Sequence, residues 1–401
     1  MDLALVADGG LGWLDASGPE SHLVLSTRVR LARNLEGRPF PLRSVDSDRI
    51  RVLTAVQEAT TGAVALTGAQ CLKIDQLSQP DRQLLHERHL VSKELAVPQS
   101  PTPPRPGSAL IIGTEAGVMV NEEDHVRLQG LVSGFALRSA WSRVARLDAE
   151  LGQRLAFAFH PEFGYLTSCP TNVGTGLRAS ILIHLPGLVL TKEINKVLQS
   201  LGQVGLTFRG LYGEGSEVVG NLFQVSNQTT LGKSEVELLD HLAGIVRQVI
   251  GYEERAREVL LRDAPGVIED KVWRAFGLLR YARTLSFDEG MNLLSAVRLG
   301  VGLGLIPDVG MYGLNRMLMF SQPAHLAQGA GPEQEAGDPA VRRATLVRQT
   351  LVDEAGRRGE FGEAVAEPSA AAPERPAGRH AGVHRRASDA IPGRWRGGAS
   401  T

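Results

Sequence analysis

The chain has 401 residues, 43% of them hydrophobic and 22% charged, with a formal net charge of −1. That is globular composition, long enough for two domains or one large domain with an appendage, and it carries no global charge that would draw the protein to nucleic acid or a membrane surface. Two cysteines, Cys71 and Cys169, are too few for a disulfide framework and suit a reducing compartment. The first residues, 1–14, have no basic n-region and no long apolar run, and no stretch reaches the roughly 18 uncharged apolar residues of a membrane helix. A soluble, cytoplasmic protein is expected.

Runs rich in Val, Ile, Leu and Phe, punctuated by Gly, Pro and Asn, predict strands at 23–25, 109–112, 118–120, 155–159, 177–185, 205–208 and 218–225. Helices are expected over 46–60, 80–89, 135–151, 191–201 and 234–261. Ser234 with Glu237 three residues on is a capping box that opens the last of these. Strands cluster between helices without a regular alternation, so the fold class is α+β, a mostly antiparallel sheet flanked by helices. The segment 96–108 holds five prolines and reads as a surface loop or flap, or as an inert insertion.

After residue 262 the pattern turns wholly helical. Residues 268–279 and 287–299 space apolar side chains by three and four, and Pro307, Gly310 and Gly313 are expected to break the helical pattern beyond them. The expected layout is an N-terminal segment over 1–20, a main domain over 21–262, a smaller all-helical domain over 263–356 and a disordered tail over 357–401. Within the helical part, 340–354 reads as one helix.

Three clusters carry chemistry. Ser26-Thr27-Arg28-Val29-Arg30, with Arg33 close behind, puts Arg28 and Arg30 on one face of a strand. Two guanidinium forks side by side suit a polyphosphate, although a solvated basic strand face has the same pattern. Asn121-Glu122-Glu123-Asp124-His125-Val126-Arg127 sets three carboxylates at a strand end, where Mg²⁺ or another cation could bind or where the chain simply turns in solvent. Thr167-Ser168-Cys169-Pro170-Thr171-Asn172-Val173-Gly174-Thr175-Gly176-Leu177-Arg178 joins a loop cysteine, reactive or structural, to an arginine entering a strand. Downstream, Arg209-Gly210-Leu211-Tyr212-Gly213-Glu214-Gly215 adds an arginine at a strand end and a glutamate between glycines. No Walker A sequence and no protein-kinase loop set occurs.

Together these blocks resemble the ATP:guanido phosphotransferase family, which includes creatine and arginine kinases, over about 21–261. Phosphagen kinases carry a helical domain before the first arginine motif. Here that motif arrives at Ser26 and helices come after it instead, a layout that resembles the bacterial McsB-type protein arginine kinases. The run Met319-Phe320-Ser321-Gln322-Pro323-Ala324-His325-Leu326 is similar to theirs as well. One departure is Gly337-Asp338-Pro339-Ala340-Val341-Arg342-Arg343-Ala344, where the family's phosphoarginine-binding Arg-Asp-x-x-Arg-Ala motif lacks its first arginine and has altered spacing.

The resemblance implies that Arg28, Arg30, Arg127, Arg178 and Arg209 surround the phosphates of ATP, with His89 as a nucleotide contact. It extends the nucleotide site to Ser26, Thr27, Val29, Ala179, Ser180, Ile181, Leu182, Gly210, Leu211, Tyr212, Gly213 and Glu214. Glu123 and Glu214 would bracket the substrate guanidinium, with Cys169 beside the reacting nitrogen. ATP and Mg²⁺ are the implied cofactors, and no dedicated protein metal site is expected. Implied partners are arginine-bearing proteins, among them a heat-shock repressor, a zinc-finger-like activator and a Clp-type unfoldase. A homodimer is compatible with the helical part, and no direct nucleic-acid or membrane contact is expected. The implied activity is transfer of the γ-phosphate of ATP to arginine in proteins, marking them for proteolysis in the stress response. The alternatives are a kinase for free arginine or another small guanidino compound, and a non-catalytic adaptor that binds nucleotide or phosphoarginine. An intact Glu123, Glu214 and five-arginine set separates enzyme from adaptor.

Overall fold

A computed structural model describes residues 11–96, 105–211, 218–328 and 338–363, with side chains as far as 354. Contacts gather Met1–Gly359 into one compact unit and Glu360–Thr401 into another. The strands are β1 (Val24–Arg33), β2 (Gln70–Lys73), β3 (Ala109–Ile112), β4 (Gly117–Val120), β5 (Val126–Ser133), β6 (Phe159–His160), β7 (Gly164–Tyr165), β8 (Leu177–His184), β9 (Leu206–Arg209) and β10 (Leu222–Asn227). The helices are α1 (Asp46–Thr60), α2 (Gln79–Glu87), α3 (Lys93–Ala96), α4 (Leu137–Gly152), α5 (Pro186–Leu190), α6 (Ile194–Gln203), α7 (Glu235–Asp263), α8 (Pro265–Tyr281), α9 (Phe287–Gly302), α10 (Met311–Phe320), α11 (Pro323–Gln328) and α12 (Pro339–Glu363).

Eight strands form one sheet in the order β2-β3-β4-β5-β1-β8-β10-β9, with every pair antiparallel. The expected antiparallel sheet with flanking helices is therefore present. Its central strand, β1, is polar at Ser26, Thr27, Arg28 and Arg30 and extends well past the apolar stretch expected at 23–25. Pairing with β5 on one side and β8 on the other satisfies its backbone along its length.

Alternation along the strands divides the sheet into two chemically different faces. Val29 and Leu31 of β1, Leu128 of β5, Ala179, Ile181 and Ile183 of β8 and Val225 of β10 enter one large core. Helix α4 closes that core with Leu137, Ala140, Val144, Leu147 and Leu151, spaced for one helical face, and α7 adds Leu238, Leu242, Val246 and Val249. Ser234 opens α7 as expected: its hydroxyl accepts from the Glu237 N–H at 3.3 Å and the Glu237 carboxylate accepts from the Ser234 N–H at 2.7 Å.

The helices after Asp263 share a second core with the sheet's flank. Ile268 and Val272 of α8, Leu294 and Val297 of α9, Leu314 of α10 and Val347 of α12 pack with Leu25, Leu182, Leu211 and Leu222.

Several expected elements differ. Residues 155–159 yield only the start of a two-residue strand, because the Leu155 N–H still bonds back to Leu151 O at 2.8 Å and prolongs the turn that ends α4. The helix expected over 191–201 is α6, which starts only at Ile194; a separate short helix, α5, precedes it, and Lys192 between the two is left-handed (φ 63°). The break expected at Gly313 does not occur, and α10 runs straight through it. A Cβ there would sit 2.5 Å from Glu354 Cδ, so this glycine serves the close approach of α12 rather than a turn. Helix α12 continues to Glu363, past the point where the tail was expected to begin. Residues 364–401, like the proline-rich 97–104, lie outside the described residues.

Candidate active site

The second face of the sheet collects the predicted arginines. Register alone places them: Arg30 lies opposite Arg178 on β8, Arg28 opposite Ser180, Ala32 opposite Arg127 on β5, and Gln224 of β10 opposite both Leu182 and Arg209. Arg28, Arg30, Arg127, Arg178 and Arg209 therefore project from neighbouring strands to one side. Arg28 Nη2 donates to Gln224 Oε1 at 3.0 Å, and Arg178 Nη2 to Thr207 Oγ1 at 3.4 Å.

Arg127 is balanced by two carboxylates, donating to Glu122 Oε1 at 2.7 Å and to Glu123 Oε2 at 2.8 Å. The acidic cluster thus has its cation within its own chain segment. The Glu122 side chain is fully buried, whereas Glu123 retains 36% of its exposure. Burial is the largest influence and would raise the Glu122 carboxyl, but Arg127, the Glu123 N–H and Arg30 together outweigh it and hold the group below its ordinary range. For Glu123 burial prevails, helped by Glu122 and Asp124, and its pKa is raised.

Arg28 and Arg30 feel mainly burial and like charge. Burial, reinforced by Arg127 and Arg178, pushes the Arg28 guanidinium down to about 10. Arg30 is driven well below its ordinary value by burial and then by Arg28, Arg127 and Arg178, and its Nε has no hydrogen-bond partner among the described residues. Buried like charges that depress one another are stabilised by a bound polyanion. A face of this charge suits a polyanion.

Asp124, which the sequence suggested only as one of three carboxylates that could bind a cation, holds the neighbouring loops together. It is fully buried, and its Oδ1 accepts from Asn34 Nδ2 at 2.7 Å and from the Ser168 N–H at 2.6 Å. Asn34 Oδ1 in turn accepts from the His125 N–H at 2.9 Å, and His125 Nδ1 accepts from the Leu35 N–H at 3.0 Å. Glu123 and the Cys169 loop are thus tied through the residue adjacent to each. Cys169 begins the short turn Pro170–Asn172, with its Sγ 3.0 Å from Thr171 Oγ1. Thr230 Oγ1 fastens the same loop by donating to Thr171 O and Val173 O, at 2.9 and 2.7 Å. Gly176 (φ 65°) then lets the chain pass Ala32, whose carbonyl oxygen would lie 2.5 Å from a Cβ.

His89 approaches the arginine face from the turn after α2. It is left-handed (φ 59°), its carbonyl accepts from Gln129 Nε2 at 2.8 Å, and its ring meets Trp13 edge-on at 5.5 Å between centroids. Gln129 lies opposite Arg30.

The remaining predicted positions separate. Ser26 and Ser180 fall on the arginine side. Thr27, Val29, Ala179 and Ile181 project the other way. The last three pack in the main core, and the Thr27 hydroxyl donates to Gly134 O at 2.6 Å, so only their backbone borders the face. Leu182 and Leu211 pack against the helical part, and Gly210 is buried after β9. Arg33, one residue out of phase with Arg30, also turns inward and pairs with Asp148 at 2.8 Å beneath the Tyr165 ring. Tyr212, Gly213 and Glu214 lie outside the described residues. Among the described residues a trio that could hold a metal ion is Glu20, His22 and Glu254, with Glu20 and His22 ahead of β1 at the end of that strand remote from Glu123.

Two family models match: ATP:guanido phosphotransferase, C-terminal catalytic domain, over residues 51–256, and protein-arginine kinase McsB C-terminal domain over 265–360. The chain is 44% identical to the protein-arginine kinase of Brevibacillus brevis over 342 residues, covering 84% of this chain and 94% of that one. It is 46% identical to the protein-arginine kinase of Symbiobacterium thermophilum over 352 residues, covering 86% and 98%. Among solved structures, the duplicated taurocyamine kinase of Schistosoma mansoni superposes with a TM-score of 0.53 at 28% identity, over 59% of this chain and 34% of that one. A lombricine kinase shares the fold, with a TM-score of 0.52 at 23% identity over 60% and 70% of the two chains.

Proposed function

The chain belongs to the ATP:guanido phosphotransferase family, and from that premise we propose that it phosphorylates arginine side chains of proteins with ATP. The observation that carries this reading is the single face bearing Arg28, Arg30, Arg127, Arg178 and Arg209, bordered by Glu123 and the Cys169 loop. The match of residues 265–360 to a protein-arginine kinase domain favours a protein acceptor over a small one.

In this mechanism the arginine face grips the triphosphate and spreads the charge that builds on the transferring phosphoryl oxygens. Mg²⁺ would ride on the phosphates, since Glu122 and Glu123 are already engaged with Arg127, and it would neutralise charge between them. The acceptor guanidinium is a cation with a pKa above about 12, and it must shed a proton to become a nucleophile. Glu123, partly open and raised in pKa, takes that proton as the nitrogen–phosphorus bond forms and the bond to ADP breaks. Glu214 would complete the clamp on the guanidinium, and Cys169 would lie beside the reacting nitrogen. The catalytic part is assigned to 21–262 and the helical part to 263–356.

No described helix is long and apolar enough to cross a membrane, and the reading carries a cytoplasmic location in which marked proteins pass to a Clp-type unfoldase. A heat-shock repressor as substrate, a zinc-finger-like activator and a homodimer belong to the same reading.

Competition tests it. With an arginine-bearing protein and free arginine at equal arginine concentration in one ATP-consumption assay, the protein should take nearly all the phosphate. A site that needs no free amino acid has no partners for the α-ammonium and α-carboxylate. Preference for free arginine would leave a guanidino kinase but remove the protein acceptor.

A further inference from the structure

The run 319–326 has no part in the chemistry above, yet it meets the catalytic side through one buried carboxylate. Glu87, the last residue of α2, is 3% exposed. Its oxygens accept from the Ala324 N–H at 2.9 and 3.1 Å, from the His325 N–H at 3.1 Å and from the His325 Nδ1–H at 2.9 Å. His325 Nε2 accepts in turn from Arg88 Nε at 3.2 Å, so the neutral Nδ1–H tautomer satisfies both neighbours. Ala324 packs into the small core of α2 and α3 with Leu84, Leu85 and Met119.

Helix α10 holds the other side of this turn. Met319 packs on Trp13 and Leu14, and Asn315 Nδ2 donates to Leu14 O at 2.9 Å. Trp13 is the residue whose ring meets His89. The tripeptide Glu87-Arg88-His89 is thus gripped at its first residue by α11 and at its last, through Trp13, by α10. His89 itself adopts the left-handed conformation (φ 59°) that brings it to the arginine face, where its carbonyl accepts from Gln129 Nε2.

We propose that Glu87 is a positioning residue for the nucleotide site, through which the helical part, by way of 319–326, sets the His89 turn and with it the affinity for ATP. The proposal rests on the reading of His89 and the arginine face as the nucleotide site. A merely structural carboxylate would stabilise the cap of α2 and α3 without favouring one substrate. A positioning carboxylate acts on ATP before it acts on the acceptor.

The test uses the full chain and reads KM for ATP, kcat, affinity for a non-hydrolysable ATP analogue and melting temperature in Glu87→Ala and Glu87→Gln. Glu87→Ala should raise KM for ATP about tenfold, the scale of one charge-assisted hydrogen bond, with kcat within about twofold. Glu87→Gln keeps an oxygen for the Ala324 and His325 N–H groups, so it should recover part of that loss, and it carries the test if the alanine variant fails to fold. A lowered melting temperature with unchanged KM and analogue affinity in the folded variant would overturn the proposal, as would a loss confined to kcat. Arg28→Ala separates the two readings, because it should weaken the analogue by about ten- to a hundredfold. An unchanged Arg28→Ala would remove the nucleotide site itself. A weakened Arg28→Ala beside an unchanged Glu87→Gln would remove only the positioning role.

Discussion

Glu123→Gln should fold like the parent protein and lose phosphoryl transfer by a factor of about 100 to 10,000, the usual contribution of a positioned proton acceptor. The substitution keeps the shape of the side chain and one acceptor for Arg127 Nη2, and Glu122 still holds Arg127 from its buried position. Stability should therefore change little while the proton acceptor is gone. Burial raises the Glu123 carboxyl, so activity of the parent enzyme should fall as pH drops through that raised value and the group becomes protonated. The residual activity of Glu123→Gln should lack this acid limb. Single-turnover kinetics across pH would read both effects. Near-parental kcat with the acid limb intact would assign the proton to another group.

Asp124→Ala should damage both stability and catalysis. The carboxylate is buried and accepts from Asn34 and Ser168, and its removal leaves both donors without that acceptor. A hydrogen bond to a charged group is worth about 1.5–3 kcal/mol, and two are lost here. The loop that carries Cys169 then loses its tether to the segment that carries Glu123, so kcat should fall along with stability. Asp124→Asn is the informative companion. Its carbonyl oxygen can stay at the Oδ1 position, so the tether survives and the loss should be much smaller. Urea unfolding and kcat measured on both variants would show this order. Equal losses in the two would mean that the charge, not the tether, is what matters.

The arginine face was legible because a strand's period of two is strict. Arg28 and Arg30 had to share a side, and register then brought Arg127, Arg178 and Arg209 to it. The same period separates Arg33, which its place in the sequence cluster suggests as a third member. Strand β5 was not foreseen because its outward positions, Arg127 and Gln129, belong to the site and interrupt the apolar run. Helices α10 and α11 were hidden by Gly313 and Pro323. The first is there for Glu354, and the second sits at a helix start, where its missing N–H costs nothing. Glu87 could not have been singled out. A glutamate closing a short helix is ordinarily solvated, and the groups that bury it lie 237 and 238 residues further along the chain.

The most direct measurement is mass spectrometry of an arginine-rich protein after incubation with the full chain and Mg-ATP, under neutral conditions that preserve acid-labile phosphoramidates, with Glu123→Gln as the blank. Phosphate located on arginine side chains with the parent enzyme, and nearly absent with the variant, is the expected result. Phosphate on serine, threonine or tyrosine instead, or ATP consumed with no phosphoarginine formed, would contradict the assignment of a protein arginine kinase.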